Sequence, residues 1–266
     1  MVSPNIVRHV SSSRLARRTH VPELAVLQQK VSADAIACCE RALDSSSFFA
    51  VLAAGKASPP LLQYVFLQYL FFRDQLHRWF GLCIMRAPSS SDPHQKRAVM
   101  ALADHVFTDL RDSHELMYDE FLCLLGVDEA ALRGATPSAA SIAYMRSFVD
   151  EFAAERHDFY GALAALSGRE LCVALRNRRL LRQYFVPRGL EHPAWLVLHS
   201  ELEEEHFQDV MRPVLEASEP DSAAFPAHLR AMSRAIEGHV SYFDQLLLEY
   251  EQTNYGLTSA LGEIGT

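Results

Sequence analysis

The chain is expected to be all-α, a single bundle of seven helices. Apolar residues recur at i, i+3, i+4 and i+7 along nearly its whole length, and nowhere do they alternate as a half-buried strand requires. The interruptions carry turn chemistry, and none is long enough to serve as an interdomain linker. The 266 residues, 49% apolar and 22% charged, suit an ordinary globular domain with a substantial core.

In chain order the periodicity predicts helices over about 22–45, 58–85, 94–124, 137–166, 169–184, 191–216 and 224–252. The first ends at the polar stretch Asp44 to Ser47, and the second at Ala87-Pro88 and the serine run that leads to Asp92-Pro93. Gly126, Gly134 and Pro137 separate the third from the fourth, and Gly168 divides the fourth from the fifth. Pro187-Arg188-Gly189 and the span Pro220 to Pro226 close the fifth and sixth. The helical domain is thus expected over 21–253, with flexible tails at 1–20 and 254–266. The first tail carries Arg8, Arg14, Arg17 and Arg18 without an acid, a composition that also resembles a transit peptide.

A net charge of −8, with basic residues clustered only at Arg14 to Arg18 and Arg176 to Arg182, argues against nucleic acid as a partner. The most apolar run, LLQYVFLQYLFF, is polar-interrupted and too short to span a bilayer, so no membrane association is expected. Cysteines 38, 39, 83, 123 and 172 form no CxxC pair and read as buried thiols of a reducing compartment, which makes the cytoplasm the expected location. The composition is compatible with a homodimer.

Chemistry concentrates in HPAWLVLHSELEEEHFQDVMRPVLEA, where His199, Glu203 and His206 stand at i, i+4 and i+7. At about 100° per residue they fall within about 60° of one another, one stripe that can supply half of a dinuclear metal site. The competing reading is a solvated acidic face. Trp195, Leu196, Leu198, Leu202, Phe207 and Val210 make the helix apolar, however, and buried ionisable groups need a compensating partner.

Further candidates lie upstream. Asp104 and His114, ten apart, fall within about 80° on a continuous helix, with His105 a rival to Asp104 and Asp109 placed elsewhere on the wheel. Glu170 is a lone carboxylate among apolar neighbours, readable as a helix N-terminal charge after Gly168. Asp74 and His77 form an i, i+3 pair between Arg73 and Arg78. For a substrate carboxylate, Arg178 lies within about 80° of Glu170 and is preferred to Arg179, with a solvated basic face the alternative.

A carboxylate and a His ten apart, then a lone Glu, then HxxxExxH on a late helix followed by a closing helix, resembles the haem-oxygenase-like diiron oxidases and oxygenases over roughly residues 58 to 250. The resemblance implies a haem-oxygenase-like bundle that holds two Fe(II) ions and uses O2 as cosubstrate. It implies that His114, Glu170 and His206 bind one iron, His199 and Glu203 the other, and Asp104 bridges, with Asp74 or His77 as an extra ligand. The family usually has Asp within the late motif and Glu as the bridge; here Glu203 and Asp104 exchange those lengths. A set of histidines and carboxylates without thiolate also suits iron or manganese on its own terms.

The implied activity is oxidation of a small organic substrate, an amino acid or a derivative of one, with an external electron donor. N-oxygenation, desaturation, C–C cleavage and ring closure all remain open. Three alternatives stand beside it: a ferritin-like diiron protein, a metal-independent relative of the same fold resembling the quinone-cofactor synthases and thiaminases, and a non-catalytic interaction bundle.

Overall fold

The computed structural model describes residues 21–88, 92–152, 158–217 and 223–263, and among them there is no strand. The expected N-terminal tail, 1–20, lies outside the described residues. Eleven α-helices follow in order: α1 Val21–Ser45, α2 Ser47–Ala53, α3 Pro59–Arg73, α4 Leu76–Met85, α5 Pro93–Arg111, α6 His114–Leu124, α7 Glu129–Gly134, α8 Ala139–Phe152, α9 Phe159–Leu180, α10 Ala194–Ala217 and α11 Ala224–Glu263. Where 254–266 was expected to be a tail, α11 continues to Glu263, beyond which nothing is described.

Side-chain caps start most of the short helices. Ser46, Ser58, Asp92, Asp128 and Asp158 each accept from a backbone N–H two or three residues on, and a proline occupies the first turn of α3 and α5. Asp244 of α11 reaches across to the start of α2, accepting from the Ser46 hydroxyl at 2.6 Å and the Phe48 amide at 2.9 Å. This ties the two ends of the domain together.

Helix α9 is the axis of the fold. Almost every residue from Phe159 to Leu180 is buried, and its longest interfaces are with α10 and α11. A helix buried all round belongs at the centre of a bundle, and the charged residues it carries there need partners. Three sequence expectations change here. The 58–85 and 94–124 segments each divide in two, at Asp74-Gln75 and at Asp112-Ser113. The boundary expected at Gly168 does not exist, and the chain leaves the helix instead before Phe159.

Gly168 has a different use. It lies within α9, where a Cβ would stand 2.7 Å from Met232 Cγ and 2.8 Å from the Met232 carbonyl oxygen of α11. The glycine permits the close approach of two helices. Gly168→Ala is therefore expected to destabilise the fold by about 1–3 kcal/mol, because overpacking outweighs alanine's higher helix propensity. Gly238 on α11 meets nothing within 4 Å, so Gly238→Ala is expected to leave stability unchanged or raise it by up to about 1 kcal/mol. Urea denaturation of the two variants checks both signs.

Candidate metal centre

The late motif folds as expected, on α10, with His199, Ser200 and Glu203 buried and His206 partly so. Facing it from α9 is Glu170, fully buried in mid-helix and not at an N-terminus. Two further elements close the cluster. His105 and Asp109, one turn apart on α5, point the same way, and His114 opens α6.

Among the described residues these side chains form two groups whose ligand atoms lie within 4.8 Å of one another: His105, Glu170, Glu203 and His206 in one, and Asp109, His114 and His199 in the other. The His105 and His206 rings are 3.7 Å apart, and those of His114 and His199 4.9 Å. Helix α10 contributes to both groups, with Glu203 between its two histidines in sequence. Asp109 accepts from His114 Nδ1 at 2.9 Å, and Glu203 meets His206 Nδ1 at 3.0 Å.

Asp104, the expected bridging carboxylate, is exposed and outside both groups; the place falls to the neighbouring register, His105 with Asp109. The physical reason is the helix break. On an unbroken helix His105 and His114, nine apart, would face opposite sides. Ser113 instead adopts the left-handed conformation, φ 56° and ψ 44°, and ends α5 so that His114 turns back toward the face carrying His105 and Asp109.

Asp74 and His77 are also exposed and take no part. Asp74 caps the end of α3 and pairs with Arg73. Arg178 is placed at the surface, in an ion pair with Glu204, and does not line the site. The buried guanidinium beside Glu170 belongs to Arg169, which sequence reasoning passed over. Arg169 donates to Glu170 Oε1 and lies over the rings of Phe72, 5.2 Å from Cζ, and Phe148. A visible signal was the i, i+7 pair Arg169 and Arg176, two cations on one stripe of a wholly buried helix.

The electrostatics are those of a donor set awaiting a cation. Burial, with the neighbouring His206 and Arg169, holds His105 well below its ordinary range, and burial holds His199 down to about 3 and also lowers His206. These imidazoles are neutral and offer lone pairs. Burial pushes Glu170 and Glu203 upward, and the nearby Glu203 carboxylate raises Glu170 further. Burial would raise Asp109 too, but the His114 hydrogen bond together with the charges of His114, Arg73 and His199 outweighs it and the net shift is down.

Two buried polar atoms of the cluster, His105 Nδ1 and Glu170 Oε2, have no hydrogen-bond partner. An orphaned buried polar atom costs about 1–3 kcal/mol, and both lie where a bound ion would satisfy them. His199 donates Nδ1–H to the Trp195 carbonyl at 2.8 Å, a contact that fixes the tautomer and the orientation of the ring. A nitrogen and oxygen set without thiolate fits iron. A cavity of about 20 Å³, room for one water-sized molecule, adjoins the cluster along Tyr69, Phe72, Arg169 and Trp195.

The sequence profile of the iron-containing redox enzymes matches residues 63–239, which include all seven cluster residues. No curated protein matches the chain. Among solved structures, a domain of unknown function with a heme oxygenase-like fold from Shewanella denitrificans superposes with a TM-score of 0.67, at 15% identity over 88% of this chain and 95% of that one. A TenA homologue from Pseudomonas syringae gives 0.66 at 10% identity, covering 83% and 92% of the two chains. A TenA-like thiaminase from Sulfolobus solfataricus, so described provisionally, gives 0.56 at 12% identity, covering 82% and 94%. At such identities the likeness establishes the haem-oxygenase-like fold and no more.

Proposed function

Because the chain belongs to the family of iron-containing redox enzymes, we propose that it is a non-haem diiron oxidase or oxygenase that uses O2 to oxidise a small organic substrate, drawing on an external electron donor. The observation that supports this most is the pair of adjoining buried donor groups, with His105 Nδ1 and Glu170 Oε2 left without partners. His105, Glu170, Glu203 and His206 would hold one iron and Asp109, His114 and His199 the other. This differs from the assignment the resemblance implied, since His105 and Asp109 replace Asp104, His114 moves to the second ion and Glu203 to the first.

When bound, two ferrous ions at such a site supply electrons and open positions for O2 reduction. The chain's own residues do the rest. The Trp195 carbonyl fixes the His199 ring, and the aromatic wall of Tyr69, Phe72 and Trp195 keeps bulk water from the ions. Burial raises Glu170 and Glu203, and both bind metal only as carboxylates, so loading should tighten with rising pH. The adjoining cavity has room for one water-sized molecule, and an organic substrate enters only with movement of its lining.

The likeness to TenA proteins favours a second reading, a metal-independent bundle that binds an organic substrate directly. Anaerobic loading with Fe(II) separates the two. The diiron reading expects about two irons per chain after desalting, and O2 uptake when reductant is supplied. Less than one iron per chain in folded protein sinks it in favour of the second reading.

A further inference from the structure

We propose that the cavity beside the donor cluster is an anion site, in which Arg169 takes the carboxylate of a small acid that carries no ammonium group. This rests on the two-metal reading above and names the class of substrate for it.

Charge leads to it. Three carboxylates, Asp109, Glu170 and Glu203, face two divalent ions, which leaves the ligand set one positive charge in excess. Arg169 and Arg176, 2% and 1% exposed, add two more. Among the described residues Arg169 forms its ion pair with Glu170, and that carboxylate belongs to the donor set. Arg176 pairs with no carboxylate among the described residues. It donates to Asn177 Oδ1 and to His239 Nε2 at 3.3 Å, and lies 4.6 Å over the Tyr69 ring and 5.1 Å over Phe243. Burying several like charges is costly, and an anion drawn into the cavity that Arg169 lines, and that Arg176 does not, offsets it.

Geometry says where the anion goes. Arg169 lines the cavity, and its Nε–H is buried without a hydrogen-bond partner. A guanidinium with one edge on Glu170 and its Nε unused can grip a carboxylate with a directional, charge-assisted hydrogen bond. The cavity as it stands has room for one water-sized molecule, so the acid enters only as the lining moves apart, and its apolar remainder then meets Tyr69, Phe72, Leu76, Val173 and Trp195. Asp109 and Glu203, the cavity's acids, are committed to the donor groups, so nothing there receives an ammonium. The site thus discriminates against amines and against zwitterions, including the free amino acids expected from the sequence.

Calorimetric titration of the anaerobic Fe(II)-loaded protein with butyrate, butyramide and butylamine tests this. Butyrate is expected to bind at least about tenfold more tightly than the amide, with the amine weakest. Arg169→Gln is expected to weaken butyrate by roughly ten- to hundredfold at unchanged iron content, and the surface variant Arg178→Gln to leave it unaltered. By linkage, butyrate should tighten Fe(II) binding in the wild type by the factor by which iron tightens butyrate, a readout independent of turnover. If Arg169→Gln does not fold, Arg169→Lys, which keeps the charge but loses the fork, should give an intermediate loss. A wild-type chain that takes up no iron overturns the diiron reading itself. A loaded chain that binds butylamine as well as butyrate, or an Arg169 variant with unchanged butyrate affinity, overturns the anion site alone.

Discussion

His105→Ala is expected to reduce bound iron from about two per chain to about one, whereas Asp104→Ala retains both. The two residues are adjacent, yet His105 is buried against Phe80 and His206, with ring centroids 4.4 and 3.7 Å away, and Asp104 faces solvent. Losing a ligand from a four-donor group leaves three donors and an open coordination position, which strongly weakens that ion. In the metal-free protein the substitution also removes an orphaned buried nitrogen, and that gain partly cancels the cavity left by the ring. The apoprotein should therefore stay folded, and Asp104→Ala should change stability by less than about 0.5 kcal/mol. Iron analysis after anaerobic loading, beside circular dichroism, reads both. Loss of iron from the Asp104 variant alone would restore the register that the sequence first indicates.

Glu203→Gln should remove the ion held with His105, Glu170 and His206 while improving the metal-free fold. Glu203 lies between His199 and His206 on α10, and its carboxylate belongs to the donor group of His105, Glu170 and His206. The amide keeps the shape but cannot act as an anionic ligand. For the apoprotein the direction follows from titration. Burial raises the folded-state pKa of Glu203 above its ordinary 4.5, so its contribution to stability is fully present below 4.5 and is lost as pH rises through the folded value. Glutamine does not titrate. The variant's stability advantage over the metal-free wild type should thus be absent at pH 4 and grow toward neutrality, a difference that cancels the opposing titration of the buried histidines. Urea midpoints across that range measure it. Retention of both irons by Glu203→Gln would rule out its role as a ligand.

Much of the site is legible in the chain because it lies within single helices. His199, Glu203 and His206 share a face by period alone, and α10 is apolar enough that this face must be buried. Glu170 is recognisable as a carboxylate with no local partner in an apolar run, although its setting was misjudged: the glycine before it supports a close crossing with α11 and does not end a helix. Where a face depends on an uninterrupted helix, the reading fails when the helix is interrupted. Asp104 and His114 line up only if 94–124 is continuous, and a left-handed Ser113 removes that condition. No glycine or proline marks the spot.

The sequence by itself determined the helical class and the late-helix donor stripe, since both depend on period and composition. Only the tertiary structure decided which side of α5 faces that stripe, because a helix break resets rotational phase and nothing local reports the new one. It also decided which arginines matter. Arg169, Arg176 and Arg178 are equivalent as letters, but the packing of α9 between α10 and α11 buries the first two and leaves the third to a surface ion pair with Glu204. The cost of a charge depends on what surrounds it, and those surroundings come from segments distant in the chain.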